Sequence, residues 1–369
     1  MAKSGRGLKE AKAEKAARKR KARRRKRAIF LIVEILILFS LLAVGYVMVK
    51  YGKMQLNVFD DEDIQINEGI KQEGYTTIAL FGGDSREGEL EAGTHADTII
   101  IASIDNETKE IKLVSVYRDT LIQESDGELK KANSAYFKGG PQEAINMLNR
   151  NLDLDIGHYV TVDFKALADT IDLLGGIEVE LSEDEANAMN EYIWETASVA
   201  EKDAISVSAG NQTLDGVQAV TYARIRKNVG GDYARTERQR FVIQKVVEKV
   251  KQTDLITINE IIDEVFPQVS TSFKLTELIK LAAGVLQYEL GETGGFPFER
   301  TDGSIEGVGS VVIPLGFVEN VEELHAFLYP NDEYEVSQTV RDIATEIEEL
   351  SGYTRDDYKK ENEAIPSGE

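Results

Sequence analysis

Arg224, Arg226, Lys227, Arg235, Arg238 and Arg240 crowd the stretch YARIRKNVGGDYARTERQR, in a chain whose formal net charge is −22. Arginine presents a planar fork of N–H donors that fits the oxygens of phosphate or carboxylate. So many cations together in an acidic chain point to a polyanionic group. A solvated helix face, ion-paired to Asp232 and Glu237, accounts for the same run without a ligand. On a helix from Tyr233, the residues Arg235, Arg238 and Gln239 share one side. Arg224 and Arg226 share a side only if the chain is extended there. Gly230 and Gly231 let the backbone turn and bring both groups to one pocket. Arginines packed together repel one another, and an anion is the natural compensation.

Carboxylates supply the complementary chemistry. Asp84 follows the apolar run TTIALFGG at a Gly-rich turn, and Asp97 opens the next run, DTIIIASID. Two carboxylates on adjacent strand ends suit Mg²⁺, with Mn²⁺ as a substitute, because hard cations take oxygen ligands. As turn or cap residues the same pair needs no metal. Arg118 and Asp119 stand where VSVYRDT leaves a strand, the end of an open α/β sheet where ligands bind. A surface ion pair between neighbours is the plainer account. His95, His158 and His325 are the only histidines and lack ligand spacing. No Ser-His-Asp arrangement is visible, and the absence of cysteine rules out thiol catalysis and Cys-based metal sites. Of the ligand classes, a diphosphate with Mg²⁺ fits the set.

The positioning elements follow from hydropathy. TTIALFGGD, DTIIIASID, IKLVSVYRD, HYVTVDF and IEVEL read as strands, the second and third joined as a hairpin by NETKE. GGPQEAINMLNRNL, FKALADTIDLLGG, SEDEANAMNEYIWETA, LDGVQAVTYARIR and YARTERQRFVIQKVVEKVKQ read as helices, with Ser182 and Glu185 as a capping box. TINEIIDEVFPQV and TELIKLAAGVLQYEL read as two more helices, and GSVVIPL as a late strand. The alternation predicts an α/β fold: a three-layer α/β/α domain with a mixed central sheet over 74–330. Residues 50–73 read as a stalk. Residues 331–369 read as a loose acidic tail holding the helix DIATEIEEL, whose deletion should spare activity.

The amino terminus sets the location. Residues 1–28 carry 14 of the 43 basic residues and only Glu10 and Glu14 as acids. Residues 29–49 are apolar but for Glu34, long enough to cross a bilayer as one transmembrane helix. The basic flank keeps the amino terminus cytoplasmic and places the rest of the chain outside. No small-residue cleavage site follows, so the reading is an uncleaved anchor. From residue 50 onward, 62 of the 65 acids face 29 bases, a net charge of −33. That balance repels nucleic acid.

GGDSR, HADT, YRDT, KANSAY, VDF…DLLGG and LDGVQAVTYARIR…DYARTERQR, in this order behind a basic tail and one span, resemble the LytR-CpsA-Psr family. The resemblance covers about half the chain, from Tyr75 to Val250. It implies a membrane-anchored phosphotransferase that moves a glycopolymer (teichoic acid or capsular polysaccharide) from a polyprenyl diphosphate to peptidoglycan. It also implies a mixed sheet flanked by helices, with an apolar pocket for the prenyl tail. Asp84 and Asp97 match the family's metal-binding aspartates. Arg118, Arg224 and Arg226 match its diphosphate arginines, with Arg86 a lesser candidate. Asp232, Arg235 and Gln239 match its polar group after the Gly-rich loop, and Arg238 lies beside them. His95 and Tyr117 depart from the arginine and proline frequent in the family. Asp119 and Asp232 are both candidates for the base. A polyprenyl diphosphate pyrophosphatase and a non-catalytic binding or regulatory module are the alternatives.

Overall fold

The computed structural model describes residues 42, 44–59, 61–83, 90, 92–354 and 356–357. The chain divides into two compact units, Met1–Gly52 and Lys53–Glu369. In the first, residues 44–51 are helical and their apolar side chains are largely exposed. The basic tail 1–28 and residues 29–41 and 43 of the expected span 29–49 lie outside the described residues. Among the described residues no helix is long and apolar enough to cross a membrane.

The second unit is built in the order β1 (Gln55–Leu56), β2 (Tyr75–Gly83), β3 (Ala96–Asp105), β4 (Glu110–Val116), β5 (Leu121–Gln123), β6 (Leu129–Lys131), α1 (Ala132–Leu152) and β7 (His158–Asp163). Then come α2 (Phe164–Leu173), β8 (Ile177–Leu181), α3 (Glu183–Ala200), β9 (Gly210–Leu214), α4 (Gly216–Tyr222), α5 (Gly231–Val250) and α6 (Leu255–Val265). The unit closes with β10 (Val269–Thr271), α7 (Leu275–Gly284), β11 (Glu289–Phe296), β12 (Arg300–Ile305), β13 (Gly309–Pro314), α8 (Phe317–Leu328) and α9 (Gln338–Ser351).

Seven strands form one mixed sheet, ordered β1-β10-β7-β2-β3-β4-β11. β2 and β4 each pair antiparallel with β3, while β7 runs parallel to β2 and β11 parallel to β4. The carboxyl ends of β2, β4, β7 and β11 therefore meet the start of β3 along one edge. β3 shows why its sequence is continuously apolar. Ile99 and Ile101 enter a core shared with Leu148, Leu324 and Val340, while Ile100 and Ala102 meet Ile243 of α5 on the other face. A strand buried on both faces loses the alternation of a half-exposed one. Helices thus cover both faces. Gly216 lets α4 approach α2, since a Cβ there would strike the Ala168 carbonyl oxygen.

Three expectations are corrected. The helix read through TELIKLAAGVLQYEL stops at Gly284, and Glu289 opens β11. β11 has few β-branched residues because its glycines are needed: a Cβ on Gly295 would strike the Tyr117 hydroxyl. Second, the segment read as a stalk belongs to the body. β1 pairs with β10, Phe59 is buried with its ring 5.4 Å from that of Tyr159, and Gln72 Nε2 donates to the Asp153 carbonyl at 3.0 Å. Third, the loose tail read beyond Pro330 is ordered through α9. Val340, Ile343, Ala344 and Ile347 are buried in the main core. Tyr334 stacks on His325 at 3.5 Å between ring centroids and donates to Asp153 Oδ2 at 2.7 Å. Four apolar residues at helical spacing among many acids suffice for that face.

Candidate active site

Arg118, one turn residue past β4, is the hub of the sheet's carboxyl edge. Its Nη1 donates to Asp97 Oδ1 at 2.5 Å, at the start of β3. Its Nε lies 3.5 Å from Asp119 Oδ2 and 3.9 Å from Asp232 Oδ1. Burial alone would raise the Asp97 carboxyl, but Arg118, with Arg235 and Arg226 behind it, holds it below the usual carboxylate range. Burial would likewise lower Arg118, yet Asp97, Asp119 and Asp232 raise it. Asp97 is therefore a carboxylate and Arg118 a cation at every physiological pH.

Gly230 and Gly231 take positive φ at 87° and 67°, the left-handed conformation that starts α5 abruptly. Asp232 then sits in its first turn, where the helix dipole favours an anion. Asp232 Oδ1 lies 2.9 Å from Arg235 Nη2 and 3.5 Å from Arg226 Nε, and its Oδ2 accepts from Arg235 Nη2 at 3.1 Å. Burial, together with the neighbouring Arg226 and Arg118, pushes the Arg235 guanidinium down to about 10, still charged at neutral pH. Burial and Arg118 also lower Arg226. Arg226 and Arg235 stay shifted down although Asp232 and Asp97 face them, so an anion in the pocket would relieve both.

Asp97, Arg224, Arg226, Arg235 and Gln239 line one polar pocket of about 260 Å³. The Arg224 guanidinium lies 4.6 Å from the Phe164 ring centroid and reaches Glu195 at 3.3 Å. A second, apolar cavity of about 210 Å³ runs between the sheet and α2, α4 and α5, lined by residues such as Leu80, Ile100, Val160, Leu167 and Val242. Phe164 and Gln239 wall both spaces, so the two are neighbours. Gln239 Oε1 is buried there with no hydrogen-bond partner.

Not every predicted residue gathers here. Arg238 does not line the polar pocket. Its Nη1 donates to the Ile225 carbonyl at 3.1 Å, its Nη2 to the Val229 carbonyl, and its Nε to Glu185 Oε1 at 3.1 Å. Asp84 and Arg86 lie outside the described residues. His95 stacks on Phe137, ring centroids 4.5 Å apart. Three residues were missed. Lys131 pairs with Asp119 at 3.0 Å, Glu195 holds Arg224, and Arg300 lies over the rings of Tyr117 and Tyr233 at 4.8 and 4.3 Å. Lys131 stands beside the KANSAY stretch. Arg300 and Glu195 reach the site only through tertiary folding, and no local pattern marks them.

Residues 45–302 match the LytR_cpsA_psr family. The chain belongs to the LytR-CpsA-Psr family. Among relatives of this family, the teichoic acid transferase TagV of Bacillus subtilis is 31% identical over 50% of this chain and 47% of its own length. TagU of Enterococcus faecalis, also named a polyisoprenyl-teichoic acid–peptidoglycan teichoic acid transferase, is 31% identical over 61% of this chain and 74% of its own. The chain thus spans about half of TagV and about three quarters of TagU. The structure of TagT with bound octaprenyl pyrophosphate superposes with a TM-score of 0.51 at 20% identity, covering 72% of this chain and 94% of TagT. At that identity the likeness is one of LytR-CpsA-Psr fold.

Proposed function

We propose that this chain is a membrane-anchored phosphotransferase that moves an anionic glycopolymer, teichoic acid or capsular polysaccharide, from polyprenyl diphosphate to peptidoglycan. One observation carries the reading: an arginine-lined pocket and an apolar cavity lie side by side, with Phe164 and Gln239 in the wall of both. That pair of environments suits a ligand with a polyanionic head and a long hydrocarbon tail. The names of TagV and TagU, and the lipid bound to TagT, are of the same class.

In this reading Arg224, Arg226 and Arg235 bind the diphosphate, and Arg118 neutralises charge that grows on the bridging oxygen as the bond breaks. Preorganised donors in a partly buried pocket act more strongly than the same groups in water. Asp119 and Asp232 are each held by two or more cations. They act chiefly by fixing the guanidinium planes, and the acceptor hydroxyl needs positioning more than deprotonation in a loose phosphoryl transfer. Asp97 fits a Mg²⁺ ligand: Arg118 takes only Oδ1, and the carboxylate borders the polar pocket. Asp97 and Asp84 would hold the ion, which would supply further neutralisation of the diphosphate.

The test is product analysis. The full chain in detergent micelles is given polyprenyl diphosphate-linked oligosaccharide, Mg²⁺ and peptidoglycan fragments, and the mixture is read by mass spectrometry. A phosphodiester-linked conjugate is expected, falling roughly 10²–10³-fold in Arg118→Ala. Release of lipid phosphate without conjugate would make the chain a pyrophosphatase. Tight lipid binding without turnover would make it a binding module.

A further inference from the structure

Two helices expose far more apolar surface than a folded body in water usually leaves uncovered. Leu255 and Ile256 on α6 are 85% and 74% exposed, and Leu286, just past α7, is 81% exposed. Ile279 and Val285 add 51% and 47%. α7 has no buried residue, and α6 has only Val265. Apolar exposure of this extent marks an interaction surface.

The topology puts these residues at one end of the unit. α5 starts at the sheet's carboxyl edge with Asp232 and runs 20 residues, roughly 30 Å, towards the opposite edge. α6 returns from there, because β10 after it begins level with Val162 near the carboxyl edge. Leu255 and Ile256 are therefore at the far edge. α7 is also there, following Phe273, which stacks on His158 at the start of β7. The same helices back the wall of the apolar cavity. Its wall residues Leu80 and Val160 pack with Leu278 and Leu281 of α7, and Val160 and Val162 pack with Ile261 of α6.

Two observations say what covers the patch. The first is reach. Lys53 pairs with Asp263 of α6 at 2.6 Å, and Gln55 donates to the Pro267 carbonyl at 3.2 Å. The apolar run 29–49 ends four residues before Lys53, at most about 14 Å of chain. From Asp263 back to Leu255 is eight residues, roughly 12 Å along the helix. A bilayer holding that run lies within reach of α6. The second is chemistry. Exposed Lys251, Lys274 and Lys280 stand with exposed Asp254, Glu260 and Glu289, a mixed rim that leaves the apolar side chains to decide what binds, and a lipid surface is the apolar partner that the anchor holds nearby.

We infer that the exposed faces of α6 and α7 form a membrane-docking surface, seated in the leaflet's headgroup region beside the far end of the apolar cavity. The inference rests on residues 29–49 being a span, and needs no assumption about the reaction. Docked this way, the end of the cavity wall that α7 backs faces the leaflet from which a prenyl tail would come, and entry there would need Leu278 and Leu281 to move aside.

The chain lacks cysteine, so single labels are simple to place. The full chain would be reconstituted into vesicles of phosphatidylglycerol and phosphatidylethanolamine, with an NBD fluorophore on Ile256→Cys, Leu286→Cys, Leu42→Cys or Glu349→Cys. Blue-shifted emission and several-fold stronger quenching by nitroxide-labelled lipid are expected at 256 and 286 than at 349, which lies on α9. The label at 42 should be quenched throughout. If 256 and 286 behave like 349 while 42 is quenched, the docking surface is wrong and the anchor stands. If 42 also stays in water, the anchor fails and the docking surface falls with it. The transfer reaction is assayed separately on the same vesicles, so loss of either reading is distinguishable.

Discussion

Arg238 acts on the site without entering it. Its guanidinium ties the carbonyls of Ile225 and Val229 together and pairs with Glu185, so it braces the loop that carries Arg224 and Arg226. Arg238→Ala would take its cation from the half-buried Glu185 carboxylate and leave two buried carbonyls without that donor, a loss of about 2 kcal/mol. Thermal melting should show it. Arg238→Lys separates bracing from stability. An ammonium recovers much of the charge but lacks the planar fork that spans two carbonyls while its Nε reaches Glu185. The lysine variant is expected to melt near the parent while kcat falls with KM little changed; parental kcat would show that the loop needs no brace. The sequence placed Arg235, Arg238 and Gln239 on one helix face, and the i, i+3, i+4 spacing permits that. It could not tell which of them turns back under the preceding loop, because Val229 and Ile225 reach Arg238 only through the reversal at Gly230–Gly231. Arg118, Asp97, Asp232 and Arg235 were legible because each stands at a strand or helix end, where type and position coincide.

At the scale of elements, the strands were legible wherever β-branched residues fill both faces, as in β2, β3 and β4. β11 was not, because its glycines serve close packing against Tyr117 and Glu110 instead of strand propensity. α9 was misjudged for a related reason. Its acids dominate the composition, while its buried face is only Val340, Ile343, Ala344 and Ile347. That face closes the core over Leu324 and Ile145, and Ser337 caps the helix through the Val340 N–H at 3.2 Å. Deleting 331–369 is therefore expected to unfold the body or lower its melting temperature sharply, against the sequence expectation. Removing three large buried aliphatic side chains would each cost about 2–5 kcal/mol, comparable in sum to a whole domain's stability. Val340→Asp should reproduce much of the defect, while Glu349→Ala on the exposed side should not. A truncated body with unchanged melting would mean that α9 merely rests on the core.

For the whole molecule, charge is divided in space. The body beyond residue 49 carries −33, yet its polar pocket concentrates Arg224, Arg226 and Arg235 beside Arg118. An anionic polymer is repelled at long range and held at short range. These two effects respond differently to salt. Exposed charges are screened over about 30 Å at 0.01 M and about 8 Å at 0.15 M ionic strength, while partly buried contacts are screened much less. Raising monovalent salt across that range, at fixed free Mg²⁺, should therefore increase kcat/KM for a polyanionic donor. A donor with the same diphosphate but an uncharged oligosaccharide should change little, since it carries few charges beyond the pocket. The comparison isolates the body's field, because both donors place the same head against the same arginines. If both rates fall together with salt, attraction by the pocket reaches beyond its rim and governs encounter. If only the polyanionic donor speeds up, the acidic surface acts as a barrier that the donor overcomes mainly by being delivered from the membrane.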